Sequence, residues 1–157
     1  MVVIQWTEAM SVGVPAVDHD HKVLIGLING LGEATRGDHD VTQVIAGALA
    51  TLIAYTQYHF EREEKMMEAC DYPDLETHRE EHNALTAEVM ALKERFLSGE
   101  HDLTVEGMLV FLTGWLNHHI LLQDMEYRSY AEGNPAAEAA AVAYGDFDYA
   151  SIETAQG

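Results

Sequence analysis

Three stretches of the chain place apolar residues alternately three and four positions apart, and each seam is interrupted by side chains that are costly to bury. Leu75, His78, His82, Leu85, Val89, Leu92 and Phe96 form one seam; Ala48, Leu52, Tyr55, His59, Glu63 and Met66 form another; Val105, Leu109, Leu112, Leu116 and His119 form a third. This spacing puts the residues of each seam on a single helix face, the face that must meet a neighbour. A fourth helical segment, from about His19 to Arg36, opens with His21. Histidines and a glutamate therefore stand at core positions, and any fold the chain adopts must satisfy them.

Local signals set the limits of the four helices. Asp18 is placed to cap the first, and "GD" follows its end. Asp40 and Gln43 resemble a capping box for the second, which continues to about Ala69. "CDYPD" imposes a turn, because Pro73 disfavours helix at Tyr72. Asp74 can cap the third helix, which runs to Ser98, with Gly99 suited to a left-handed position. The fourth opens near Leu103 and extends to about Ala131. Short connections make antiparallel neighbours, so the expected fold is all-α: an up-down antiparallel four-helix bundle over residues 1–131, with a C-terminal acidic extension. Residues 132–157 shift abruptly to an Ala-rich acidic tail, expected to be flexible, with a short helix over residues 136–143 as the alternative.

A chain of 157 residues suffices for one domain with its own core. Its 27 acidic against 8 basic residues give a net charge of −19, which argues against nucleic acid or an anionic membrane as partner and suits cations or a basic protein. No apolar run is long enough to span a membrane, and "MVVIQWTEAM" lacks the basic start of a signal peptide, so a cytoplasmic location is expected. Cys70 stands alone and can form no intrachain disulfide.

In an up-down bundle the start of the first helix, the end of the second, the start of the third and the end of the fourth share one end. His21, His59 with Glu63, His78 with His82, and His119 with Asp124 all fall there. Without a cation this cluster would bury imidazoles and carboxylates with little to satisfy them. A metal satisfies them together, and so many ligands exceed what one octahedral ion accepts; two ions bridged by the carboxylates fit. Mixed imidazole and carboxylate ligation favours iron over tetrahedral zinc. Two other metal patterns are excluded. A His-Glu-x-x-His zinc site fails because Arg79 follows His78 and Phe60 follows His59. The Glu-x-x-His pairs of ferritin-like di-iron proteins fail because no histidine has a glutamate three residues before it.

Trp6, "VDHDH" ending in His21, "HFEREE" with His59 and Glu63, "HREEH" with His78 and His82, and "WLNHHILLQD" with His119 and Asp124 together resemble the hemerythrin family, in its single-domain bacterial form. The resemblance covers residues 1 to about 131. It implies two iron ions per chain: His78, His82 and His119 on one, His21 and His59 on the other, with Glu63, Asp124 and a solvent-derived oxo or hydroxo group as bridges. The ions would then carry six and five ligands, and the vacant position is where the family binds dioxygen. His118 is the rival to His119; the resemblance implies a five-residue spacing from the last histidine to the aspartate, which selects His119, as does the seam through Leu116. Where the family often has glutamine before its first ligand, this chain has Asp20, expected to face solvent. Phe60, Trp115, Leu116 and Ile120 flank the ligands and are candidates for an apolar oxygen pocket, as well as ordinary core. Asp18 and Tyr127 are candidates for orienting the imidazoles.

The resemblance implies reversible dioxygen binding for storage, transport or delivery to an oxygen-consuming enzyme, rather than catalysis. The alternatives are an oxygen or redox sensor, or a di-iron enzyme scavenging nitric oxide or peroxide. One geometric demand follows from the ligand set. His119 and Asp124 are five residues apart, roughly 140° around an ideal helix. The helix must deform between Ile120 and Asp124, most simply by a π-type turn, or Gln123 would face the site instead.

Overall fold

The structure, a computed structural model, describes residues 4–34, 42–99, 103–150 and 152. Its helices are α1 (Pro15–Ala34), α2 (Thr42–Ala69), α3 (Leu75–Leu97), α4 (Val105–His118), α5 (Arg128–Ala131) and α6 (Pro135–Ala143). A π-helical turn, His119–Gln123, and a 3-10 turn, Asp124–Glu126, join α4 to α5. Helices α1 to α4 pack in a closed cycle, α1 on α2, α2 on α3, α3 on α4 and α4 on α1, which is the expected four-helix bundle.

The helix ends explain the connections. α1 begins at Pro15, earlier than the expected His19, because a proline at the first helical position removes an N–H that has no intrahelical acceptor anyway. Asp18 is not the cap residue. It lies within the first turn, where its carboxylate accepts hydrogen bonds from the Val12 N–H (2.9 Å) and the Ser11 hydroxyl (2.6 Å). The α2–α3 turn closes with Asp71 at a left-handed φ of 55° and with the Tyr72 N–H donating to Met67 O at 3.0 Å. Asp74 precedes α3 without a side-chain capping bond, and Gly99 follows it at φ 74° as expected. Thr104 caps α4 by accepting from the Gly107 N–H. The capping box proposed at Asp40 lies outside the described residues.

Part of the C-terminal segment forms a further helix. Asn134 accepts from the N–H groups of Ala136 and Ala137, Pro135 opens the helix, and α6 packs on α2 and α1. The contact is close because Ala137 and Ala141, both fully buried, present only methyl groups to it. Beyond α6, Phe147 packs against Tyr55 and Tyr58, with ring centroids 5.0 and 5.3 Å apart. Two apolar clusters result. One fills the bundle and includes Leu24, Leu49, Leu85, Leu112 and Leu116. The other, Val17, Met66, Met67, Tyr72, Tyr127, Ala131, Ala137 and Ala141 among them, closes one end. The histidines and carboxylates lie along the helices between these two clusters, a polar belt with apolar packing above and below.

Candidate metal centre

Helices α1, α2 and α3, the π turn and the 3-10 turn that follows it bring all seven candidate ligands together. His21, His59, Glu63 and Asp124 are fully buried, and His78, His82 and His119 are exposed by 1% each. Their ligand atoms form two overlapping groups: His21, His59, Glu63, His119 and Asp124, and His78, His82, His119 and Asp124. In each group these atoms lie within 4.8 Å of one another. The two carboxylates divide between the histidines. Asp124 Oδ1 is 3.1 Å from His78 Nε2, while Oδ2 is 2.9 Å from His21 Nε2 and 3.1 Å from His119 Nε2. Glu63 Oε1 faces His59, His21 and His119, and Oε2 lies 3.9 Å from His78 Nε2.

The imidazoles are oriented from outside. His59 Nδ1 is 3.0 Å from Asp20 Oδ2, His82 Nδ1 is 2.8 Å from Glu64 Oε2, and His119 Nδ1 is 3.3 Å from Gln123 Oε1. Each of these acceptors selects the tautomer with hydrogen on Nδ1, leaving the Nε2 lone pair free to face inward. Asp20 is therefore a correction to the sequence reading. It is fully buried and also accepts from the Tyr55 hydroxyl at 2.8 Å and pairs with Arg62 Nε at 2.9 Å. Solvent exposure was expected there, but Tyr55, His59 and Arg62 of α2 meet its carboxylate. Glu64 and Arg62 were likewise missed, since they lie off the seam through His59 and Glu63. The Asp18 carboxylate accepts from Ser11 and Val12, in the chain leading into α1, rather than orienting an imidazole. Tyr127 is fully buried, 5.6 Å from the His78 ring.

Charge compensation is incomplete without a cation. Burial opposes a charge on His59, but Glu63 and Asp20 more than offset it and raise its pKa to about 9. Burial likewise opposes charge on His119, yet Asp124 and Glu63 hold its pKa well above the ordinary value. Burial would raise the Glu63 and Asp124 pKa values, but the facing imidazoles, His59 and His119 foremost, pull both below the carboxylate range. His82 goes the other way, lowered by burial despite Glu64. The cluster thus holds carboxylates ionised and imidazoles competing for protons. Meanwhile the buried Nε2 atoms of His21, His59 and His82, and one oxygen each of Glu63 and Asp124, have no hydrogen-bond partner. Lone pairs left without hydrogen-bond partners and converging among residues at most 1% exposed are what a bound metal ion satisfies, so the donor set fits one.

Apolar groups seal the chamber. The Phe60 ring stacks on His82 at 3.9 Å with planes 5° apart and meets His119 edge-on at 4.9 Å. Trp115, Leu116 and Ile120 belong to the adjoining core, with the indole N–H of Trp115 donating to Leu85 O at 3.1 Å. His118 is exposed, and with Gln123 it lines a surface cleft between α3 and α4.

A bundle whose one end gathers buried histidines around shared carboxylates defines a metal-binding helical protein. The family model described as the hemerythrin HHE cation binding domain matches residues 12–131. A bacteriohemerythrin of Ralstonia nicotianae is 32% identical over 144 residues, spanning 91% of this chain and 100% of that protein. A bacteriohemerythrin of Clostridium acetobutylicum is 27% identical, covering 78% of this chain and 96% of its own. The crystal structure of wild-type hemerythrin matches with a TM-score of 0.71 at 29% identity, over 83% of this chain and 98% of that one. The chain belongs to the hemerythrin family.

Proposed function

We propose that this protein binds dioxygen reversibly at a pair of iron ions, for storage, transport or delivery to an oxygen-consuming enzyme. His78, His82 and His119 would hold one ion and His21 and His59 the other, with Glu63 and Asp124 shared between them. What supports the sharing is the way each carboxylate turns one oxygen toward His78 and the other toward His21, with His119 between the two sides and close to that second oxygen. The single observation that carries the reading is the convergence of orphaned nitrogens and oxygens in a chamber with no solvent exposure.

When bound, the iron pair supplies the two electrons that reversible oxygen binding requires. The protein's part is to hold the site rigid and dry. Asp20, Glu64 and Gln123 hold hydrogen on the outer nitrogens, so that neutral imidazoles present their lone pairs inward. Glu63 and Asp124 balance the positive charge. Phe60, Trp115, Leu116 and Ile120 exclude the water and protons that would carry reduced oxygen away. The burial of the Tyr127 phenol, beside Glu63 and Asp124, holds its pKa well above the ordinary value, so it stays protonated there.

The test is anaerobic reduction of the iron-loaded protein followed by air, with optical absorption watched through repeated oxygen removal. Two iron ions per chain and a reversible oxygen-dependent band are expected. One ion per chain, tightly held zinc, or sustained turnover with a reductant would overturn the reading.

A further inference from the structure

Arg62 joins the C-terminal segment to the metal chamber. The residue is 6% exposed; its two terminal nitrogens donate hydrogen bonds, and its Nε meets a carboxylate as an ion pair without hydrogen-bond alignment. Nε pairs with Asp20 Oδ2 at 2.9 Å, one terminal nitrogen donates to Ala141 O at 2.5 Å, and the other donates to Gly145 O at 2.7 Å and to the Tyr58 hydroxyl. Ala141 O belongs to the last turn of α6, where carbonyls lack intrahelical donors and carry the negative end of the helix dipole. Gly145 sits just beyond, at a left-handed φ of 85°. The guanidinium thus grips the C-terminal end of α6, and the rings of Tyr58 and Tyr144 flank it at 5.1 and 5.7 Å. On its other side Arg62 fixes Asp20, whose second oxygen is held by Tyr55 and which reaches His59 Nδ1. All of α6 lies outside the residues matched by the family model.

We infer that α6 and the turn at Gly145 are a positioning element for the metal centre: through Arg62 and Asp20 they fix the tautomer and orientation of His59, and so how firmly one of the two ions is held. This rests on the metal-binding reading above. Asp20 and Arg62 are positioning residues, acting through His59. Arg62 without its carbonyl partners regains side-chain freedom, Asp20 then loses its fixed geometry, and His59 loses the acceptor that selects its Nδ1–H form.

The experiment uses full-length variants: Ala137→Leu/Ala141→Leu, which wedges α6 away from α2; Arg62→Leu; Asp20→Leu; and Asp20→Asn, which keeps an acceptor for His59. Three quantities are read: iron release to a chelator, the imidazole 15N shifts of His59 in the metal-free chain at a pH high enough for that ring to be neutral, and metal-free melting temperature. Loss of such an orienting group typically weakens a metal site about 10- to 100-fold. The wedge, Arg62→Leu and Asp20→Leu should each speed release of one ion about tenfold or more, leave the other near the wild-type rate, and mix the His59 tautomers. Asp20→Asn should restore most of the tautomer preference. Combining the wedge with Arg62→Leu should add little to either alone, because both cut one connection. Additive effects, equal release of both ions, or an unchanged His59 tautomer despite a lowered melting temperature would reduce α6 to a general stabiliser and overturn the inference. A wild-type chain that binds no pair of ions would overturn the metal reading and this inference with it.

Discussion

The Asp124 backbone N–H donates to the carbonyl of His119, five residues back rather than four. That one wide turn resolves the conflict between a five-residue ligand spacing and a 3.6-residue helix. It carries Asp124 around to the face of His119, where its carboxylate meets three imidazoles, and leaves Gln123 half-buried at the margin. Asp124→Ala should therefore abolish binding of at least one metal ion, whereas Gln123→Ala should retain both. Iron analysis of the two variants checks this. If Gln123→Ala loses iron and Asp124→Ala keeps it, the assignment of ligands on this turn is wrong.

The turn was legible in the sequence because two ligands at an impossible spacing leave few solutions. The bundle was legible for a similar reason: its seams have one period and its breaks carry recognisable residues. The burial of Asp20 and the packing of the Ala-rich helix were not legible, for a physical reason. A seam identifies the face that meets the other bundle helices, and everything off it is assigned to solvent. Here α6 and the residues after it cover part of that remainder, so Tyr58 and Arg62, four apart on α2, face protein. The signal was present in Asn134-Pro135, a cap followed by a residue suited to the first helical position, ahead of an alanine run.

Removing the residues after Gly133 should therefore destabilise the protein rather than leave it unchanged. It strips Arg62 of two carbonyl acceptors and uncovers Met66, Met67 and Tyr72. With hydrogen bonds to a charged group worth about 1.5–3 kcal/mol each, the loss is on the order of 3 kcal/mol or more. For a chain of this size that is a fall in Tm of roughly 6–12 °C. Thermal unfolding followed by circular dichroism measures it, and an unchanged Tm would show that α6 contributes nothing to the fold.

Proton linkage gives the metal-free chain an unusual pH response. His59 rises from an ordinary 6.5 to about 9 on folding. A raised histidine stabilises fully below its unfolded value and loses that contribution as pH climbs through the folded one. His119 and His78 are raised as well and act in the same direction. The metal-free protein should therefore lose stability between about pH 6.5 and 9, and His59→Gln should make that slope shallower. Metal binding needs neutral imidazoles, so uptake at pH 7 should release protons, and apparent affinity should rise with pH. Denaturant titrations across the window and a pH indicator during metal addition would reveal either effect. A metal-free stability that rises over this interval would contradict the assigned protonation.

Phe60 separates the packing role of the chamber wall from its chemical role. Its ring lies flat on His82 and edge-on to His119, and it is 4% exposed. Phe60→Ala removes a large buried ring, at a cost of about 3–5 kcal/mol in stability, and opens space for water beside two of the histidines. Phe60→Leu fills much of that space with apolar volume but cannot stack on the imidazole. If the ring serves mainly to keep the chamber dry, the alanine variant should lose its oxygen-dependent absorption many times faster than wild type, while leucine restores most of the lifetime. If stacking on His82 is what matters, the two variants should decay at similar rates despite their different stabilities. Measuring the decay at a temperature where both variants remain folded distinguishes the outcomes, and a lifetime unaffected by either substitution would remove Phe60 from the oxygen pocket.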